Sequence, residues 1–99
     1  MLEAAARGQA GRHLDAVAAA LARGVDVPFG VSEPAHWMLM TAVRAGAEGR
    51  EFLVSDPGGG RTAWVTEKDL VSGAFCARQF FLNKPGERPY VDCFFLPTD

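Results

Sequence analysis

From Arg12 onward the apolar positions follow two periods, and the change between them divides the chain. Leu14, Val17, Ala18 and Leu21 recur at i, i+3, i+4 and i+7, the spacing that lines one face of an α-helix. Gly24 comes next, and glycine accepts the left-handed backbone with which helices commonly end. Val25, Val27, Phe29 and Val31 then alternate with their neighbours. The period has dropped to two, which predicts a strand with one face on the helix. Pro28 donates no ladder hydrogen bond, so this strand is expected at a sheet edge or at a bulge.

Ser32-Glu33-Pro34 reads as a connector. Ala35 to Val43 predicts the best strand in the chain, with Trp37, Leu39, Thr41 and Val43 on one face and His36, Met38, Met40 and Ala42 on the other. Both faces are largely apolar, which suits a central strand. Ala45 to Arg50 reads as a hairpin turn, Glu51 to Ser55 as the returning strand, and Asp56-Pro57-Gly58-Gly59-Gly60 as its terminator. Arg61 to Val65 is a further extended piece. Thr66-Glu67-Lys68-Asp69 starts a short helix, with threonine as N-cap and an acidic residue three positions on, and Gly73 stops it after Ser72. Two final strands are expected, Cys76 to Leu82 and Tyr90 to Leu96, joined by the turn-rich stretch from Asn83 to Pro89. The fold class that follows is α+β: an N-terminal amphipathic helix packed on a mostly antiparallel sheet, with a short helix inserted.

The 99 residues suffice for one modest core and hence a single domain, 1–99. Residues 1–11 are Ala/Gly-rich without a period, and are expected to be frayed, disordered or the stump of a longer chain. A net charge of -2, with the ten basic residues scattered, offers no footprint for nucleic acid. No apolar run approaches the roughly 20 residues of a membrane span, and the N-terminus lacks the pattern of a secretory signal. A cytoplasmic location is expected, or export by a dedicated secretion system. Cys76 and Cys93 are far apart and neither has a CxxC partner, so no zinc site, other metal or cofactor is expected. They suit two reduced core thiols, and a disulfide remains open.

Chemistry enters through His36 and Asp56. One opens a strand and the other closes the next. If those strands pair as a hairpin, the end of one lies beside the start of the other, and the carboxylate reaches the imidazole at Nδ1. Such a pair is the general base and its orienter in a cysteine or serine hydrolase. Each residue also has a plainer reading. His36 suits a half-buried ring with its hydrogen bonds met, and Asp56 suits a turn starter bonded to its own backbone. Trp37 and Trp64 suit either the walls of a substrate groove or core packing. Glycines 58 to 60 match no phosphate-binding pattern and read as a mobile turn beside the cleft. His13 is expected on the polar side of the first helix, solvated, and Asp92 on the solvent face of the last strand.

Three segments together carry a family resemblance: Ala35-His36-Trp37-Met38-Leu39-Met40-Thr41-Ala42-Val43, then Phe52-Leu53-Val54-Ser55-Asp56-Pro57-Gly58-Gly59-Gly60-Arg61-Thr62, then Trp64-Val65-Thr66-Glu67-Lys68-Asp69-Leu70. Over roughly residues 12 to 75 the chain resembles the C-terminal half of papain-like cysteine peptidases, in particular the C39-like and AvrRpt2-like bacterial groups. The resemblance implies a thiol protease or related hydrolase with His36 as general base and Asp56 as the residue that orients it. The substrate would be a peptide or protein, with peptidase, deamidase and transglutaminase chemistry all open, in the setting of a bacterial effector or toxin.

The family's nucleophile is a cysteine at a helix N-terminus upstream of the histidine, and no cysteine precedes His36 here. Three explanations are open. The chain is the C-terminal part of a longer enzyme, which the Ala-rich beginning favours; a second chain supplies the cysteine; or the protein is a catalytically inactive relative that acts as a binding or adaptor module, with a homodimer joined through its edge strands also open.

Overall fold

The structure, a computed structural model, describes residues 2–3, 10–82 and 84–96. The N-terminal stretch expected to fray lies largely outside them. After β1 (Leu2–Glu3), a 3-10 turn at Ala10–His13 leads into α1 (Leu14–Ala22). Leu14, Val17 and Leu21 of the predicted stripe are buried, Ala18 is half-buried, and Ala20 joins them inside; Gly24 follows at φ +81° with its N–H on the Leu21 carbonyl.

The meander β2 (Val27–Ser32), β3 (His36–Gly46), β4 (Gly49–Asp56) and β5 (Arg61–Thr66) comes next, then α2 (Glu67–Ser72), α3 (Phe75–Arg78) and β6 (Tyr90–Phe94). All pairings are antiparallel, in the order β1-β6-β2-β3-β4-β5. The fold is α+β, with the N-terminal helix packed on the sheet and short helices inserted. Among the described residues no helix is long and apolar enough to cross a membrane.

The core lies between one face of the sheet and the helices. Phe29, Met38, Met40, Phe52, Val54, Val65, Val91 and Phe94 contribute from strands, and Leu14, Val17, Leu70 and Phe75 from helices. Burying about a dozen such side chains, each worth roughly 1.5–3 kcal/mol, is what holds the layers together. Thr66 caps α2 as its sequence suggested, accepting from the Asp69 N–H at 3.1 Å. Gly73 ends the helix at φ +82°, and a Cβ there would stand 1.9 Å from the Pro89 carbonyl oxygen. Only glycine lets the chain turn and pass that close.

Several expectations are corrected. Cys76 to Leu82 is not a strand: Phe75–Arg78 forms a single helical turn, and Cys76 and Phe80 rather than an alternating face are buried. An apolar run of this length fits a strand or a buried helical turn equally well, and packing of Phe75 against Phe29 and Phe80 decided it. The last strand stops at Phe94, two residues short of Leu96. Pro28 is neither at an edge nor at the bulge. Its strand lies between β3 and β6, but its missing donor faces β6 where that ladder runs out, and its carbonyl still accepts from Phe95 N–H at 2.8 Å.

In β3 the register shifts between Met40 and Ala42, leaving Thr41 as a bulge. The extra residue reverses the faces beyond it, so Val43 packs on the core and pairs with Phe52, whereas Ala42 turns outward opposite Leu53. His13 is half-buried rather than solvated, meeting the Phe94 ring edge-to-face at 6.4 Å.

Candidate active site

Alternation along β3 and β4 brings His36 and Asp56 together. His36, Met38 and Met40 share the core side of β3, and Phe52, Val54 and Asp56 that of β4. Leu39 pairs with Ser55, so the start of β3 lies beside the end of β4. Both functional side chains therefore stand on the helix-covered face at one end of the sheet. The last apolar layer beneath them includes Met38 and Val54, both buried.

Asp56 is only 2% exposed, the one buried charged side chain among the described residues. A buried carboxylate is costly unless it is hydrogen-bonded, and here Oδ1 takes two bonds. His36 Nε2 lies 2.7 Å from Oδ1, and Gly58 N–H donates to the same oxygen at 3.0 Å. Gly60 N–H adds a bond to the Asp56 carbonyl at 2.8 Å. The Pro57–Gly60 turn thus folds back over the carboxyl group. Gly59 permits the approach, since a Cβ there would stand 3.0 Å from Oδ2.

The contact fixes the ring and is a correction as well as an agreement. The carboxylate reaches Nε2, not Nδ1. With the proton of the neutral ring on Nε2 and donated to Asp56, Nδ1 carries the free lone pair, and it has no hydrogen-bond partner among the described residues. His36 is 28% exposed against 2% for its partner. A partly exposed imidazole anchored at one nitrogen is an arrangement suited to general-base catalysis.

Neither cysteine completes the arrangement. Cys76 is buried under the helix layer. Burial, reinforced by the nearby Asp56 carboxylate, pushes its thiol up to about 12, so at neutral pH it remains a protonated, weakly nucleophilic thiol. Cys93 pairs with Gly30, which pairs with Trp37. Its sulfur therefore stands on the far face of the sheet from His36, beside the Trp37 ring. No disulfide joins the two cysteines. Among the described residues, no group of three His, Cys, Asp or Glu side chains is placed to hold a metal ion.

The two tryptophans expected as groove walls are not brought to the pair. Trp37 points to the opposite face, 57% exposed, with its ring 5.2 Å from that of Phe95. Trp64 lies opposite Leu53 on that same outer face, with the Arg44 guanidinium 3.9 Å over its ring. Leu53 pairs with Ala42, six residues along β3 from His36, which at about 3.3 Å per residue puts Trp64 roughly 20 Å away.

Asp92 is only partly exposed. It accepts from Ser32 Oγ at 2.6 Å through Oδ2, and its Oδ1 is buried without a partner among the described residues. The residues near the pair that pattern reading passed over are Arg61 and Phe81. Arg61 pairs across the ladder with Asp56, and Phe81 is an exposed ring beneath the Arg61 guanidinium. Arg61 sits where the alternation of β5 points it to the core side, a signal present in the sequence. Phe81 lies within the Cys76–Leu82 run, which the pattern reads as a strand. No family model, curated protein or solved structure matches the chain.

Proposed function

We propose that this chain is the imidazole- and carboxylate-bearing half of a papain-like cysteine hydrolase acting on peptide or protein amides. The 2.7 Å contact between His36 Nε2 and buried Asp56 carries the reading. In the reaction Nδ1 of His36 takes the proton of a cysteine thiol, and the thiolate attacks the amide carbonyl. The imidazolium, held by Asp56, then protonates the departing amine, and water hydrolyses the thioester by the same base. With Cys76 protonated and Cys93 on the other face, the nucleophile comes from outside the described residues, in an upstream segment or a second chain. The scaffold accommodates a peptidase, a deamidase or a transglutaminase, because all three use these groups.

Reconstitution tests the reading. The chain combined with a cysteine-bearing segment should cleave or deamidate peptide substrates, and His36→Ala should lower the rate by about 10²-fold or more. Absence of His36-dependent turnover on any amide substrate would sink the proposal.

A second reading, an inactive papain-like module that binds proteins, is favoured by one observation: the exposed Trp37–Phe95 pair on the sheet's outer face. It predicts that His36→Ala leaves function intact whereas Trp37→Ala abolishes partner binding.

A further inference from the structure

The helix-side face next to Asp56 carries an exposed aromatic ring with a cation above it. Arg61 opens β5 directly across from Asp56, and its Cζ lies 4.8 Å from the centroid of the Phe81 ring. Phe81 is 68% exposed, while Phe80 beside it is buried against Phe75. The Phe81 backbone is at φ +55°, a conformation uncommon for a bulky residue. Strain of that kind persists where the surroundings enforce it, and it collects at functional sites. Beside it the Leu82 N–H bonds the Cys76 carbonyl at 2.9 Å, which ties down the backbone that carries the ring. The ladder thus places Arg61 beside Asp56, and the ring contact places Phe81 beneath Arg61.

Among the described residues the charge of Arg61 is also uncommitted to any carboxylate. Arg44, Arg50 and Arg78 each end on a carboxylate at 2.7–2.8 Å. Arg61 has no acidic partner among the described residues. A guanidinium stacked on a ring keeps its in-plane N–H edge free, and that edge matches a carboxylate with two parallel hydrogen bonds. We propose that Arg61 and Phe81 form a subsite that binds a carboxylate-bearing residue of the peptide substrate, next to the amide presented to His36. The assignment of substrate class rests on reading His36 and Asp56 as the hydrolase pair; the binding itself does not need the nucleophile. The carboxylate belongs either to an acidic side chain or to a peptide C-terminus.

Titration of the isotopically labelled chain, followed by amide and arginine side-chain NMR shifts, tests the subsite. The probes are a blocked Gly-Glu-Gly tripeptide, its Gly-Gln-Gly counterpart, and Gly-Gln-Gly with a free C-terminal acid. At least one acidic peptide should bind roughly tenfold more tightly than the blocked glutamine peptide, the ratio a charge-assisted pair at a partly exposed site supports. Whichever acid binds more tightly names the source of the carboxylate.

Arg61→Gln should erase the preference and Phe81→Ala should weaken binding of every acidic peptide, both substitutions falling on exposed side chains that the core does not use. His36→Ala should leave the preference in place. Equal binding of acidic and neutral peptides, a preference that survives Arg61→Gln, or one lost in His36→Ala would each overturn the proposal. Failure of the hydrolase reading would instead appear as absent turnover in the reconstituted system, with this titration unaffected.

Discussion

His36 and Trp37 are neighbours in the chain and belong to different surfaces. On the helix-covered face, His36 stands over Met38 and Val54 and is anchored to a carboxylate 2% exposed. On the outer face, Trp37 is more than half exposed and leans on Phe95, itself 41% exposed. One face is held by burial and directed hydrogen bonds, and the other by surface contacts such as the Trp37–Phe95 ring pair and Arg44 over Trp64. Sequence adjacency thus says little about shared function in a strand, because successive side chains diverge by the whole thickness of the sheet. A residue two positions away, or across the ladder, is the nearer neighbour.

The contrast between faces is sharpest in stability. Phe52→Ala, on the inner face, should cost about 3–5 kcal/mol in denaturant unfolding, because a fully buried ring is replaced by a cavity. Asp56→Ala should cost about 1–3 kcal/mol, since it strips the partner from both the imidazole and the Gly58 N–H. Asp56→Asn keeps an accepting oxygen and should cost distinctly less. An Asp56→Ala protein as stable as wild type would remove the carboxylate from the structural account.

A second difference between the faces appears with pH. Burial and the Asp56 charge raise the Cys76 thiol in the folded protein from 9.0 to about 12. The unfolded chain therefore loses that proton first as pH rises, so the Cys76 contribution is complete below about 9 and declines between 9 and 12. Stability curves of wild type and Cys76→Ala measured across that window should diverge in slope, with the wild type falling more steeply. Parallel curves would show that the thiol is not shielded. The smallest effect is expected on the outer face, where Trp37→Ala should change stability by about 1 kcal/mol or less.

Much of this arrangement is written in local pattern. The 3.6-residue stripe of α1, the caps at Thr66 and Gly73, and the β2–β5 meander depend on neighbouring residues and were legible. The His36–Asp56 contact was legible too, because a hairpin with a short turn fixes which strand ends meet. What pattern reading missed depends on distant contacts or on one-residue irregularities. The Thr41 bulge reversed Val43 and Ala42 with no glycine or proline to announce it. The Cys76–Leu82 run became a helical turn because Phe75 and Phe80 found partners across the core. The choice of Nε2 over Nδ1 was set by ring orientation, which no spacing encodes.

The central claim is that Asp56 holds His36 in one tautomer, with Nε2 protonated and Nδ1 free to act as a base. Imidazole ¹⁵N NMR with the ring neutral measures this directly. The account predicts a single His36 tautomer with the proton on Nε2, giving way to a mixture in Asp56→Ala. A proton on Nδ1 in the wild type, or a tautomer mixture indifferent to Asp56, would contradict it.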